Sequence, residues 1–182
     1  MTGKSARPHL QESNVMFERF STAATQVVSV AQREADVAGA ETVNMIHLLR
    51  GLLAADGCGR RILETVGVDR ELLDARSPSG GTGGNNDVHA GFSAPAKDVL
   101  KQSWRKATSG AGLAVGTDHI TQAFMDNEVG RRSFSSLSID IGALARALSH
   151  AEPTGGDREL PRRDESDSRQ PASKVDRELR YH

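Results

Sequence analysis

Apolar residues along this chain recur at the three-to-four spacing of helices, and no stretch sustains the alternation of a half-buried strand. Ala24, Val27, Val28, Ala31 and Ala35 make a first stripe, with Gly39 as its stop. Ile46, Leu49, Leu52 and Leu53 make a second, on a helix from about Asn44 to Ala55. Ile62, Leu63 and Val66 mark a third, and Leu72 and Leu73 a fourth that opens at Asp69, a natural N-cap. The pattern then breaks at Ser77-Pro-Ser-Gly-Gly-Thr-Gly-Gly-Asn-Asn86, a glycine-rich stretch expected to be a soft linker. Beyond it four stripes return. The first follows Ser93, with Pro95 in its opening turn and Ala96, Val99, Leu100 and Ala107 inside. The second opens at Gly116 or Thr117 and carries Ile120, Phe124 and Met125. The third holds Phe134 and Leu137, and the fourth starts at Asp140 and holds Leu144 and Leu148. The expected fold is all-α, with no sheet.

The two halves are copies of one another. Phe20-Ser21 returns as Phe92-Ser93, Ala24 as Ala96, Val27-Val28 as Val99-Leu100, Ala35 as Ala107 and His47 as His119, all 72 positions on. Gly59-Arg60-Arg61 returns as Gly130-Arg131-Arg132 and Val68-Asp69 as Ile139-Asp140, 71 positions on, so one residue is lost between His119 and Gly130. A register held over about fifty residues with one deletion is the mark of a duplication. The expected architecture is two tandem four-helix repeats packed with pseudo-two-fold symmetry: repeat one over 16–76, linker 77–90, repeat two over 91–150. Residues 1–15 lack hydrophobic period and are expected to be a disordered leader. Residues 151–182 are dense in charge, with isolated apolar residues such as Leu160 and Val175, and are expected to be a disordered tail.

Composition removes several classes of function. The net charge of -1 leaves no basic footprint for nucleic acid. No apolar run approaches the roughly 20 residues that cross a bilayer, and residues 1–15 carry no apolar core of a secretory signal. The single cysteine, Cys58, forms no internal disulfide, which fits a reducing cytoplasm. No nucleophile–base set and no ligand cluster with metal spacing is present in the sequence, so an enzyme, a cofactor and a metal are not expected.

Met16-Phe17-Glu18-Arg19-Phe20-Ser21, then Val27-Val28 and Ala31-Gln32-Arg33-Glu34-Ala35, resemble the start of the N-terminal domain of ClpC-type AAA+ unfoldases. Gly116-Thr117-Asp118-His119-Ile120 resembles the Gly-Thr-Glu-His-Ile signature that opens the second helix of each family repeat, and Phe92-Ser93 with Ala96-Lys97 resembles the opening of the second repeat. The resemblance covers about Met16 to Ser149. It implies a domain that receives client proteins or adaptors, recognises phosphorylated arginine in ClpC-type versions, and is the docking site of several cyclic-peptide antibiotics. The 182 residues contain no Gly-x-x-x-x-Gly-Lys-Ser/Thr phosphate loop, so the resemblance implies the receptor part of an unfoldase without its motor.

The same resemblance selects the candidate contact residues. Thr117 and Asp118 match the phosphoarginine position, where a carboxylate holds the guanidinium and a helix N-terminus favours the phosphate. Asp118 is one methylene shorter than the family Glu, and its plainer reading is a first-turn acid stabilising its own helix. Met45 and Ile46 stand at the equivalent places of repeat one, which should therefore not bind phosphoarginine. Phe17, Phe92 and Lys97 match positions that line the peptide groove between the halves; core packing and a solvated lysine are the plainer readings. His47 and His119 read as buried, hydrogen-bonded packing elements rather than ligands. The Gly-Arg-Arg doublets read as structural, inherited by duplication. Three roles follow as expectations: a peptide- or client-binding module, including a decoy that sequesters cyclic peptides; a phosphoarginine-protein adaptor that delivers clients to a full-length Clp unfoldase; and a docking protein that works through its charged tail.

Overall fold

The structure, a computed structural model, describes residues 17–76, 91–109, 114–152 and 155–161. The expected leader, the glycine-rich linker and residues 162–182 of the tail lie outside the described residues. The elements run α1 (Thr22–Val37), β1 (Thr42–Val43), α2 (Met45–Ala54), α3 (Cys58–Thr65), α4 (Arg70–Arg76), β2 (Gly91–Phe92), α5 (Ala94–Ser109), α6 (Thr117–Asp126), α7 (Glu128–Ser136), α8 (Ile141–His150) and α9 (Gly155–Arg158).

Local chemistry explains the helix bounds. Ser21 Oγ accepts the Ala24 amide at 3.1 Å and starts α1, and Gly39, at φ +62°, turns the chain out of it. Asn44 Oδ1 accepts the amides of Ile46 and His47 at the start of α2. Asp69 caps α4 through Leu72 N (2.7 Å), and Asp140 caps α8 through Gly142 N (2.8 Å). Helix α3 ends where Val68 N donates to the Leu63 carbonyl across Gly67 (φ +78°). Helix α7 ends the same way, Ile139 N to Phe134 O, but its left-handed residue is Ser138 (φ +62°). The duplication thus reaches the caps.

One core runs through both repeats. It joins Phe20, Val27, Leu48, Leu49, Leu52 and Leu63 of the first to Val99, Leu100, Ile120, Phe124, Phe134 and Leu144 of the second. The inward face of α2 differs slightly from the expected one: Met45 and Leu48 are buried with Leu49 and Leu52, whereas Ile46 and Leu53 are half-buried. Gly51 lets α1 and α2 touch, because a Cβ there would stand 2.3 Å from the Val27 carbonyl oxygen. Arg50, 2% exposed, pairs with Asp74 at 2.8 Å and faces Glu34 at 3.7 Å, and Arg70 also bonds Glu34 at 2.9 Å. These charges fasten α1, α2 and α4 together at the edge of repeat one.

The expectation of no sheet is corrected. Strands β1 and β2 pair in parallel, Thr42 with Gly91 and Val43 with Phe92, and a second bridge sets Phe20 beside Val115. Two-residue strands are too short for alternation to register in a sequence. The two pairings are the same contact seen from either repeat: Phe20 and Phe92 are 72 apart, as are Val43 and Val115. Ser21 N donates to Val115 O (2.9 Å) just as Ser93 N donates to Val43 O (3.0 Å). Each repeat lends its entry strand to the other, and this reciprocity makes the arrangement two-fold.

A left-handed non-glycine residue carries steric strain of about 1–2 kcal/mol. Ser138→Gly removes it at some cost in unfolded-chain entropy, and is expected to stabilise the chain by about 0.5–1 kcal/mol. Thermal unfolding followed by circular dichroism checks this; a lowered Tm would contradict the role given to Ser138.

Candidate functional site at the seam between the repeats

Two groups of candidate residues meet this seam. The first is aromatic. Phe17 precedes α1 and Phe92 precedes α5, so they come from equivalent ends of the two repeats. Their rings stand 6.3 Å apart between centroids, and Phe17 also packs edge-on against the buried Phe20 at 5.1 Å. Both Phe17 and Phe92 remain half-buried. Lys97 is exposed, in the first turn of the helix that Phe92 precedes.

The second group lies where α3 of repeat one and α6 of repeat two begin side by side. Thr117 is fully buried there. Its hydroxyl accepts the Gly59 amide at 2.9 Å and donates to Asp157 Oδ1 at 2.6 Å, and its own amide donates to the same oxygen at 2.8 Å. Asp157 Oδ2 accepts the Cys58 amide at 2.8 Å. Asp157 comes from the segment expected to be a disordered tail, yet it is 3% exposed. Glu159, two residues on, accepts the Thr22 amide (2.7 Å) and hydroxyl (3.1 Å) through its carbonyl. The tail expectation therefore differs from the structure at 155–161. Nothing in the sequence marks Asp157 among its charged neighbours, because a capping carboxylate needs no hydrophobic period.

Asp118 stands next to this cluster, partly exposed. Its Oδ1 is buried without a hydrogen-bond partner and lies 3.0 Å from His119 Nδ1. That nitrogen already accepts the Gly116 amide at 3.1 Å, so acceptor faces acceptor. The carboxylate is left short of donors, which is the condition under which it would take a guanidinium. His47 does the same work as His119 in repeat one, accepting the Asn44 amide at 3.2 Å through Nδ1. The repeated histidine thus closes the N-terminus of the second helix in each repeat. Burial, then the nearby Arg50 cation, pushes the His47 pKa down from its ordinary value.

Cys58, Asp118 and Asp157 offer three ligand atoms within 4.8 Å of one another. Asp157 is already committed to two amides and a hydroxyl, and burial followed by the Asp157 charge pushes the Cys58 thiol up to about 12. Gly59 and Gly130 explain the duplicated doublets. A Cβ on Gly59 would stand 3.0 Å from Thr117 Cβ, and one on Gly130 would stand 2.0 Å from the Phe124 carbonyl oxygen. The arginines beside them are exposed, Arg60 pairing with Glu64 at 2.8 Å and Arg132 with Glu128. A cleft of about 470 Å³ lies between α3 and α8 and is lined by Ile62, Val66, Ala147, Arg61, Arg146 and His150. A second cleft, of about 460 Å³, lies between α6 and α8 and is lined by Asp118, Met125 and Asp126.

An all-helical pair of repeats, locked by exchanged strands and carrying its candidate contacts at the seam, defines the class of molecule. The family model for the Clp repeat (R) N-terminal domain matches residues 19–136, and the chain belongs to that family. Among curated relatives, the ClpA homolog of Guillardia theta, an ATP-dependent Clp protease ATP-binding subunit, is 31% identical over 133 residues, 69% of this chain and 16% of the relative. Its counterpart in Porphyra purpurea is 29% identical over 136 residues, 71% of this chain and again 16% of the relative. This chain thus spans about a sixth of the length of the curated relatives it matches. Among solved structures, the Hsp104 N-terminal domain from Candida albicans superposes with a TM-score of 0.59 at 13% identity, covering 73% of this chain and 91% of that one. The N-terminal domain of ClpD from Arabidopsis thaliana gives 0.56 at 21%, covering 73% and 96%. These two establish the fold. Clp N-terminal domains are non-catalytic binding domains. No helix among the described residues is long and apolar enough to cross a membrane.

The lowered His47 pKa has a signed consequence. The folded state holds the ring neutral, so it binds fewer protons than the unfolded chain. The stabilisation is complete above the ordinary value of 6.5 and is lost as the pH falls through it toward the lower folded value. The urea midpoint is expected to drop between pH about 7.5 and about 5.5, and His47→Gln to shrink that drop. An equal drop in both proteins would locate the sensitivity elsewhere.

Proposed function

We propose that this chain is a non-enzymatic binding module that receives peptides or client proteins at the seam between its repeats. The convergence of Phe17 and Phe92, one from each repeat, carries the reading. Two half-buried aromatic rings, with an exposed lysine one turn away, give a ligand apolar area and a cation at small entropic cost. A peptide or a cyclic-peptide antibiotic of the kind that docks on ClpC-type domains suits such a surface. Acting in trans in the cytoplasm, the module would compete with a full-length Clp unfoldase for these ligands, a sequestering role. The partners are proteins and peptides; nucleic acid, membrane, metal and cofactor have no part in this reading.

A second reading is favoured by one observation, the Asp118 oxygen that lacks a donor beside the α6 N-terminus. A phosphoarginine side chain supplies a guanidinium for Asp118, with its phosphate turned toward the positive end of α6. The chain would then be an adaptor that delivers arginine-phosphorylated clients to a Clp protease. Met45 and Ile46, at the matching places of repeat one, leave that half without the carboxylate and the hydroxyl.

Fluorescence anisotropy with a labelled cyclic peptide and with a phosphoarginine peptide separates the two. Phe17→Ala and Phe92→Ala are each expected to weaken the cyclic peptide by about tenfold, as for an aromatic contact worth roughly 1–2 kcal/mol. Unchanged affinity in both variants rules out the groove. Asp118→Asn is expected to weaken the phosphoarginine peptide by about tenfold or more and to leave the cyclic peptide alone. If neither peptide responds to it, the adaptor reading is lost.

A further inference from the structure

The duplication brings two pairs of helices together in the same way, α3 with α8 and α7 with α4, related by the offset of 71. The two copies treat the space between their helices differently. Between α7 and α4, Arg76 crosses the gap and its Nη1 donates to the Ser136 carbonyl at 3.2 Å. Between α3 and α8, Ala147 holds the place of Arg76 and Thr65 that of Ser136, so the crossing side chain ends at its Cβ. The cleft of about 470 Å³ lies there. The charges differ too. Arg132 of α7 pairs with Glu128, four residues before it. Its counterpart Arg61 has Gly57 at that place.

The lining of the open cleft has two parts. Ile62 is buried, Val66 and Ala147 are half-buried, and the place of Ile62 in the closed copy is taken by a polar residue, Ser133. Arg61, Arg146 and His150 line the same space and are exposed. Arg146 comes within 3.8 Å of Asp140, but both side chains are largely in solvent, where such a pair is worth little. No carboxylate lines the cleft among the described residues. An apolar hollow bearing two guanidinium groups and an imidazole, on a chain whose net charge is -1, complements an apolar side chain flanked by carboxylates. Its volume falls within the roughly 300–1,000 Å³ of ligand pockets. None of Phe17, Phe92, Lys97, Thr117 and Asp118 lines it.

We propose that the α3/α8 cleft is a second docking site, for an acidic segment of a partner protein. A leucine or phenylalanine side chain of that segment enters between Ile62, Val66 and Ala147, and aspartate or glutamate residues beside it pair with Arg61 and Arg146. Arginine can hold a carboxylate through two parallel hydrogen bonds, which fixes the register of the segment as well as its charge. The site stands apart from the Phe17–Phe92 seam and does not depend on what binds there. One copy of the duplicated contact uses its arginines to close itself, and the other presents them to solvent around an apolar hollow.

The test is an array of synthetic peptides in which Leu, Phe or Ser is flanked by Glu, by Gln or by Lys, probed with the labelled full chain. The unaltered chain is expected to retain the Leu and Phe peptides flanked by Glu about tenfold better than those flanked by Gln or centred on Ser. Ala147→Arg restores the crossing arginine of the closed copy. It is expected to lower that retention about tenfold although it adds a positive charge, a result that general attraction to acids does not give. Arg61→Gln, at an exposed position, is expected to weaken the Glu-flanked peptides about threefold or more and to leave the Gln-flanked ones alone. The proposal is overturned if acid-flanked apolar peptides are not preferred, or if the preference persists undiminished in Ala147→Arg. It is also overturned if the preference is lost in Phe92→Ala and kept in Ala147→Arg, since the seam is then the site. Should circular dichroism show Ala147→Arg unfolded, the double variant Arg61→Gln with Arg146→Gln decides, and unchanged retention sinks the idea. Two other occupants have their own signatures in Ala147→Arg: shifted amide resonances from residues 162–182 mark the chain's own end, and a lowered sedimentation mass marks a second copy. Either one overturns the partner reading. A failure of the cyclic-peptide measurements at the seam leaves the array result standing, and the reverse holds as well.

Discussion

Backbone exchanged between the repeats is the constraint on which the rest depends. Phe20 runs beside Val115 of the other half and Phe92 beside Val43, each followed by a serine amide that donates to the partner strand. Neither repeat can satisfy these amides alone, because the acceptor of each, Val115 for Ser21 and Val43 for Ser93, lies in the other repeat. Phe20 is carried into the shared core by this exchange, and Phe92 is brought against Phe17. Burial follows from it as well: the two sets of short helices enclose one interior rather than two small ones, which suits helices of 7 to 16 residues that would be marginal by themselves.

Within that near-symmetric frame the polar chemistry is lopsided. Repeat one fixes α1, α2 and α4 with the buried Arg50 among Glu34, Asp74 and Arg70, whereas repeat two carries Gln122 at the place of Arg50. Asparagines close one pair of helix starts, and a distant aspartate closes the other. Small residues where the chain would otherwise cap itself thus mark the side of the molecule on which something must arrive from outside the repeat.

The fold was largely legible because duplication doubles every signal. Ser21, Asp69 and Asp140 cap helices as their positions suggest, and Gly39 ends α1 with the left-handed turn expected of it. The histidine shared by both repeats is hydrogen-bonded into a helix start rather than poised for chemistry. What escaped was non-local or brief. Strand pairs of two residues leave no period to detect. Leu48 and Met45 could not be told from Ile46 and Leu53 as the deeper residues of α2, since all four fit a helix that is apolar on most of its circumference. Asp157 was invisible because its partners lie 40 and 99 residues away and its neighbours are all charged or small. Thr117 was visible as a motif, but that its hydroxyl and amide are already engaged is a fact of three dimensions.

The caps carry a consequence for stoichiometry. Duplication would ordinarily give a molecule two equivalent berths, one per half. Here Asn44, Asn127 and the buried Met45 seal the counterpart of the α3/α6 pocket with groups that belong to the fold. The joint start of α3 and α6, closed by Asp157, therefore occurs once per chain, and whatever meets the molecule there meets one such place rather than two.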